Sequence, residues 1–102
     1  MPTFLPLATP TDVVAYYDKF KFPKNIMIEW TSEKNRFYPD HWVVERKTTA
    51  FGAPFEVIGS TYLRERFYDT NIENNKMYIY RVTAYDNMNR KAESFLTARA
   101  ET

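Results

Sequence analysis

The chain has 102 residues, of which 44% are hydrophobic and 18% aromatic, and 14 basic and 13 acidic side chains give it a net charge of +1. This length suits one domain, and the near balance of charge gives no strong field for nucleic acid or an anionic membrane, so we expect neither as a partner. The sequence contains no cysteine, so stability must come from packing.

Residues 1–10, MPTFLPLATP, form an arm before the first predicted strand. Its three prolines disfavour helix and favour extended backbone. Three large apolar side chains give the arm something to bury: Phe4, Leu5 and Leu7. The arm lacks the basic flank and the unbroken apolar stretch of a secretory signal. We expect it either to fray as a linker or to dock, on its own domain or on a neighbouring subunit.

Residues 11–102 are predicted to form one domain of seven short strands separated by turn signals. The predicted strands are 11–17, 25–31, 41–48, 55–58, 64–70, 76–85 and 92–101. The alternation of apolar and polar residues is clean in NIMIEWT, where Ile26, Ile28 and Trp30 share one face. The aromatic residues expected in the core are Trp30, Trp42, Tyr68, Tyr78 and Tyr80. Seven such strands without competing helical periodicity predict an all-β sandwich of two sheets.

A chain reversal is predicted just before the strand at 76–85. Glu73-Asn74-Asn75 is a turn signal, because asparagine tolerates left-handed backbone better than other non-glycine residues. Tyr78 follows this turn and lies six residues after Ile72, so we expect its ring to cover Ile72. Its hydroxyl is expected to bond back to upstream backbone, which is the tyrosine corner of Greek-key β-sandwiches.

These residues resemble the fibronectin type III family, especially its bacterial and phage members. The resemblance lies in YDTxI at 68–72 and YxYRVxAxD at 78–86, with Trp30 placed like the core tryptophan of the second strand and WVVER at 42–46 like the third strand. It covers residues 10–102 and implies a seven-stranded immunoglobulin-like Greek-key sandwich with an extended N-terminal arm.

The sequence departs from the family pattern at two turns. Asn74-Asn75 stands where Pro-Gly is usual, and Asn89-Arg90 stands where Gly-Asn is common. Asparagine can supply the backbone angles that both sites require, so the expected fold is unchanged. No Arg-Gly-Asp triplet occurs between the last two strands, so the resemblance does not imply integrin binding.

Few side chains are suited to catalysis. His41 is the single histidine and precedes a core tryptophan, so we interpret it as a strand-edge residue rather than a base. Two glycines cannot build a phosphate-binding loop. Asp86 and Asn89 have a spacing found in calcium loops but lack the further acidic ligands, so they are interpreted as turn residues. We predict no catalytic residue, no cofactor and no metal.

The aromatic side chains are too many for the core of a small sandwich. The segment YYDKFKFPK at 16–24 interleaves rings with lysines, but the nearly neutral chain argues against single-stranded nucleic acid. Exposed apolar patches mark contact surfaces, although singly scattered aromatic residues need have no role. The candidate partner contacts are Phe4, Leu5, Leu7, Tyr17, Phe20, Phe22, Val43, Met77, Ile79 and Tyr85.

The sequence therefore predicts a non-catalytic structural or protein–protein interaction module. Because it begins with Met and lacks a secretion signal, we expect a phage virion component, either a capsid decoration or a tail-associated protein. Such a component would assemble in the host cytoplasm with neighbouring subunits as partners. The alternative is a spacer or carbohydrate-contacting module of a larger secreted bacterial enzyme or adhesin. Rings aligned in a shallow groove would favour a sugar, and a flat apolar face would favour a protein.

Overall fold

The computed structural model describes residues 5–102. This part of the chain forms eight β-strands joined by loops and turns, and it contains no helix. The strands are β1 Pro10–Tyr17, β2 Ile26–Ser32, β3 His41–Thr48, β4 Glu56–Thr61, β5 Arg66–Asp69, β6 Met77–Tyr85, β7 Lys91–Glu93 and β8 Ala98–Glu101. Nothing in this part of the chain forms a helix long and apolar enough to cross a membrane. Phe4, one of the predicted contacts, lies outside the described residues.

The strands pair into two antiparallel sheets. The smaller sheet has the order β1-β2-β5, and the larger has the order β4-β3-β6-β7, with β8 also paired to β6. The buried faces of the two sheets enclose the core, where Trp30 and Trp42 meet edge to face with ring centroids 5.9 Å apart. The predicted all-β immunoglobulin-like sandwich is therefore confirmed.

The last predicted strand is interrupted in the middle. The Ser94 N–H donates to the carbonyl of Val82 (2.9 Å), while the Val82 N–H donates to the Ser94 hydroxyl (3.3 Å). A side-chain oxygen thus takes the place of a backbone acceptor, and the regular ladder stops. The strand predicted over 92–101 is consequently two strands, β7 and β8, and the chain between them exposes Phe95 and Leu96.

The predicted core aromatics are buried with one exception. Tyr78 and Tyr80 lie inside the sandwich, as do both tryptophans. Tyr68 is 44% exposed, so its predicted place in the core was wrong. Its neighbour Phe67 packs against the core instead. Since successive side chains of a strand point to opposite faces, Phe67 places Tyr68 on the solvent side of β5.

The turn before β6 has the predicted geometry. Asn75 adopts left-handed backbone with φ 59°. The Glu73 N–H donates to the Tyr78 hydroxyl at 2.8 Å, and Ile72 is buried in the same core cluster as Tyr78. The tyrosine corner is therefore confirmed.

The turn between β6 and β7 is organised by Asp86. Its carboxylate accepts the N–H groups of Met88 (2.9 Å) and Arg90 (2.8 Å), and it pairs with the Arg90 side chain. The hydrogen bond from Arg90 lowers the pKa of Asp86, against the opposing effect of desolvation. Asn89 takes left-handed backbone with φ 64°, as its place in the turn predicted.

The described part of the arm packs on its own domain. Leu7 and Ala8 are buried, and Leu7 belongs to the core cluster. The Ala8 N–H donates to the Phe37 carbonyl (2.9 Å), and the Phe37 N–H donates to the Pro6 carbonyl (2.8 Å). The Arg90 guanidinium also donates to the Leu5 carbonyl at 3.1 Å. These bonds fix residues 5–8 between two loops of the sandwich.

Candidate contact surfaces

His41, the single histidine, is engaged in structural contacts. His41 begins β3 and is stacked between Tyr62 (centroids 4.9 Å apart) and Tyr85 (5.3 Å), and its Nδ1 lies 2.9 Å from the Asp40 carboxylate. Across residues 5–102, no group of three potential ligand side chains is arranged to hold a metal ion.

A buried polar network joins the two sheets. Asp69 accepts a hydrogen bond from the Tyr80 hydroxyl (2.6 Å) and pairs with Arg46 (2.9 Å), which also donates to the Asn71 carbonyl (2.8 Å). Burial, reinforced by the bond to Asp69, raises the pKa of Tyr80. Each polar group satisfies another, so the network supports the fold and offers no free acid or base.

The outer side of the smaller sheet carries a row of large side chains across all three strands. Tyr16 of β1 pairs in register with Met27 of β2, which pairs with Tyr68 of β5. Tyr16 is 60% exposed, and Val14 stands two residues earlier on the same side. We call these four residues, Val14, Tyr16, Met27 and Tyr68, the aromatic face.

The loop after β1 extends this face with two more rings. Phe20 is 87% exposed and Phe22 is 94% exposed. The Lys19 ammonium lies 5.2 Å from the centre of the Phe20 ring, and the Lys21 ammonium lies 5.9 Å from the centre of the Tyr68 ring. The predicted contacts Phe20 and Phe22 are therefore next to the aromatic face.

The two charged side chains at the centre of the smaller sheet neutralise each other. Arg66 of β5 forms an ion pair with Glu29, its register partner on β2. Hydrogen bonding to Glu29 raises the pKa of the Arg66 guanidinium. The centre of the sheet thus presents rings and a closed ion pair, a composition rich in the tyrosine, methionine and arginine found at protein interfaces.

A groove of about 740 Å³ opens at the end of the sandwich where β1 stops. One wall is the chain from Tyr16 to Phe20, and the other consists of Asn74, Asn75 and the last two residues, Glu101 and Thr102. We call it the end groove. The end groove meets the aromatic face at Tyr16, so this concave surface lies next to the flat outer side of the smaller sheet.

The outer side of the larger sheet carries four of the predicted contacts, Val43, Met77, Ile79 and Tyr85, but it is not an exposed apolar surface. Ile79, a predicted contact, is only 8% exposed because it lies between the long side chains of Lys47 and Arg99 in the pairing register. Nearby, Arg81 pairs with Glu45 (2.5 Å) and stacks on the Phe55 ring (4.2 Å). Charged side chains therefore cover this side.

Other residues on this sheet are partly covered as well. Val43 and Met77 are half-buried, and Tyr85 is half-buried within the ring stack on His41. Burial raises the pKa of Glu45, but hydrogen bonds from Arg81 and Thr83 outweigh it and lower that pKa overall. The acid is thus held ionised within the ion pairs of this face.

The predicted contacts on the arm and on β1 occupy different environments. Leu5 is 49% exposed, whereas Leu7 is buried in its own core and presents no surface to a partner. Tyr17 packs against the core and contributes to the end groove, while Tyr16 points outward. Tyr16, Met27 and Tyr68 were not among the predicted contacts. No local signal separates Tyr16 from the adjacent Tyr17; the packing of Ala15 and Tyr17 against the core places Tyr16 on the other side of β1.

Comparisons with known proteins identify the fold. No family model matches the sequence, and no curated protein matches it significantly. An Fn3-like protein from Clostridium thermocellum superposes with a TM-score of 0.72 at 22% identity, over 93% of this chain and 91% of that one.

Two enzymes contain a similar unit as a small part of their length. A pectate lyase from Pectobacterium carotovorum aligns with a TM-score of 0.67 at 16% identity, over 92% of this chain and 27% of the lyase. A β-1,2-glucanase from Parabacteroides distasonis aligns with a TM-score of 0.68 at 20% identity, over 100% of this chain and 14% of the glucanase. The chain therefore has the fibronectin type III fold.

Proposed function

We propose that the chain is a non-catalytic module that binds a protein partner through the aromatic face. The observation that carries this proposal is the row Tyr16, Met27 and Tyr68 on the outside of the smaller sheet, in register across three strands. Large apolar side chains grouped on one exposed face mark interaction sites, whereas singly scattered ones do not.

The shape and charge of this face fit a protein better than a small molecule. It is one side of a sheet, so it is broad and shallow, and its central ion pair between Glu29 and Arg66 is already closed. Phe20 and Phe22 add exposed rings at one end. A partner would cover these rings and find no unpaired charge at the centre, which avoids a desolvation cost.

As the assembly that holds this module we propose a phage virion, with the chain as a capsid decoration or a tail-associated protein. The support is the resemblance of residues 68–86 to fibronectin type III domains of bacterial and phage proteins, together with a surface suited to contact. In such an assembly, neighbouring subunits would be the partners.

The test uses sedimentation of particles from the native source with three tagged versions of the chain. We expect the unmodified chain to sediment with megadalton particles and Tyr68→Glu to stay near the top of the gradient. Phe51→Glu is the control, because Phe51 is fully exposed in the turn between β3 and β4, away from the aromatic face. Circular dichroism establishes that both variants are folded.

Two results would contradict the proposal in different ways. If the unmodified chain never sediments with particles, the virion assignment is wrong. If Tyr68→Glu sediments like the unmodified chain, the assembly contacts another surface and the aromatic face is not the binding site.

A second candidate function is a spacer or carbohydrate-contacting module of a larger secreted enzyme. The specific observation in its favour is the end groove, where exposed rings line a concave surface. The similar units in a pectate lyase and a β-1,2-glucanase, which occupy 27% and 14% of those chains, point the same way. Detection of the chain only within a longer secreted polypeptide would favour this candidate over the virion.

A further inference from the structure

We propose that the end groove binds a neutral oligosaccharide. The inference rests on the second candidate function, the carbohydrate-contacting module, and names a ligand class for it. It rests on four features of the described residues: the volume of the groove, its exposed rings, its amide and carboxylate groups, and its charge.

The volume of the groove suits a ligand of several sugar units. About 740 Å³ lies within the range of roughly 300–1,000 Å³ typical of ligand sites. The two walls come from different parts of the chain, the end of β1 with the loop after it on one side and the turn before β6 with the end of β8 on the other. An extended chain molecule could lie along the cleft between them.

Two rings in this groove are available for stacking. Tyr16 is 60% exposed and Phe20 is 87% exposed, and both line the cleft. The C–H faces of a pyranose ring are apolar and pack against the electron-rich face of an aromatic ring. Stacking therefore gives a sugar a favourable contact that its hydroxyl groups cannot make.

The loop that carries Phe20 is held in shape before any ligand arrives. The Phe20 N–H donates to the Asp18 carboxylate at 2.9 Å, and the Lys21 N–H donates to the Asp18 carbonyl at 3.1 Å. A ring on a preformed turn loses less conformational entropy on binding than a ring on a mobile loop.

The opposite wall supplies hydrogen-bonding groups suited to hydroxyls. Asn75 brings an amide that can donate and accept, and Glu101 brings a carboxylate that accepts. The Asn74 amide can donate, while its oxygen already accepts from the Lys24 ammonium (3.2 Å). The wall is fixed by Thr102, whose hydroxyl donates to the Glu73 carbonyl (2.6 Å) and accepts from the Lys76 N–H (3.0 Å). Neighbouring hydroxyls of a sugar present both donors and acceptors, so this combination matches them.

The charge of the groove decides between neutral and acidic sugars. Its lining includes two carboxylates, Asp18 and Glu101, and one ammonium, Lys19, and a second ammonium, that of Lys24, lies 3.2 Å from the amide oxygen of Asn74 in the lining. The Lys19 ammonium also lies over the Phe20 ring, 5.2 Å from its centre. Two negative and two positive side chains leave the groove without net charge, so it offers no electrostatic attraction for a uronic acid polymer over a neutral sugar chain.

The experiment is a titration of the ¹⁵N-labelled chain followed by amide chemical shifts. The probes are gluco-, galacto-, manno- and xylo-oligosaccharides of four to six units, with oligogalacturonate as the acidic counterpart. We expect at least one neutral probe to shift signals of residues 16–20 and 74–75 with a Kd of about 0.1–1 mM, which corresponds to roughly 4–5.5 kcal/mol.

The matched variants are Phe20→Ala and Phe22→Ala. The two phenylalanines share a loop and are both almost fully exposed, but of the pair Phe20 lines the groove. We expect Phe20→Ala to weaken the affinity at least tenfold and Phe22→Ala to leave it unchanged. Glu101→Gln removes one of the two carboxylates and should raise the affinity for oligogalacturonate relative to the neutral probe.

Three outcomes would overturn the inference. One is that no neutral probe shifts these signals at a probe concentration of about 10 mM, because the Kd would then be far above the expected range. Another is that oligogalacturonate binds more tightly than every neutral probe. The third is equal loss of affinity in Phe20→Ala and Phe22→Ala. Failure of the protein-contact proposal would be seen separately, as unchanged sedimentation of Tyr68→Glu, because Tyr68 does not line the end groove.

Discussion

Tyr78 illustrates how one polar atom can fasten a turn to a core. Its ring is buried beside Ile72, while its hydroxyl reaches the backbone and accepts the Glu73 N–H at 2.8 Å. The ring contributes burial of apolar area, and the hydroxyl satisfies a partly buried donor that the turn would otherwise leave unpaired. The position of the residue after a turn was enough to predict both contacts.

Replacement of Tyr78 by phenylalanine should destabilise the domain by about 1–2 kcal/mol, because the ring stays but the Glu73 N–H loses its acceptor. The measurement is the free energy of unfolding in urea. The control is Tyr16→Phe, in which an exposed hydroxyl is removed and about 0.5 kcal/mol or less should be lost. Equal effects of the two substitutions would mean that the corner bond contributes nothing.

The packing of β4 against β5 depends on a glycine. Opposite Val44 of β3 stands Gly59, but opposite Glu45 stands Val57, so Ile58 is the extra residue of a β-bulge. A Cβ built on Gly59 would lie 2.5 Å from Cε2 and Cζ of the Phe67 ring. Since Phe67 packs on the core, the ring has little freedom to retreat, and β4 can approach β5 so closely only with glycine at this position.

Substitution of Gly59 by alanine should therefore cost about 1–3 kcal/mol through overpacking. The measurement is again urea denaturation, now as a double-mutant cycle with Phe67→Leu. We expect the second change to relieve part of the cost, because it removes the ring atoms that the new methyl group meets.

Gly52→Ala provides the contrast for this cycle. Gly52 has φ 75°, and a methyl group added there would point into open space, so its replacement strains the backbone without meeting Phe67. Phe67→Leu should not rescue it. Rescue of both glycine variants to the same extent would contradict the proposed contact between Gly59 and Phe67.

At the scale of the whole molecule, the arm is part of the domain that it precedes. Leu7 lies in the core cluster, and the backbone bonds of Ala8 and Phe37 hold the arm beside the loop between β2 and β3. Of the two outcomes expected for the arm, fraying or docking, residues 5–8 show docking on their own sandwich. The contact closes one end of the core, so it should contribute to global stability.

Leu7→Ala is expected to lower the free energy of unfolding by about 2–4 kcal/mol, because it leaves a cavity at the end of the core. Leu5→Ala serves as the control: this leucine is 49% exposed and should change the stability by about 0.5 kcal/mol or less. Thermal or urea unfolding of both variants gives the comparison. A Leu7→Ala variant as stable as Leu5→Ala would show that the arm leaves the core in solution.

The sequence by itself determined the sandwich, most strand positions, the turns at Asn75 and Asn89, and the tyrosine corner. These features follow from period-two alternation and from turn chemistry, which act between residues close in the chain. The core tryptophans were predicted for the same reason. The interruption of the last strand at Ser94 was not predicted. The Ser94 hydroxyl replaces a backbone acceptor there, and this does not change the alternation of apolar and polar residues in the sequence.

Tertiary structure alone decided which surfaces are free. Tyr16 and Tyr17 are adjacent and equally aromatic, so only packing against the opposite sheet shows which of them faces solvent. Ile79 is covered by Lys47 and Arg99, which arrive from other strands. The end groove joins residues 16–20, 74–75 and 101–102, segments far apart in the chain. The exposure of a side chain and the shape of a surface depend on residues that are distant in the sequence, so a local sequence pattern does not predict them.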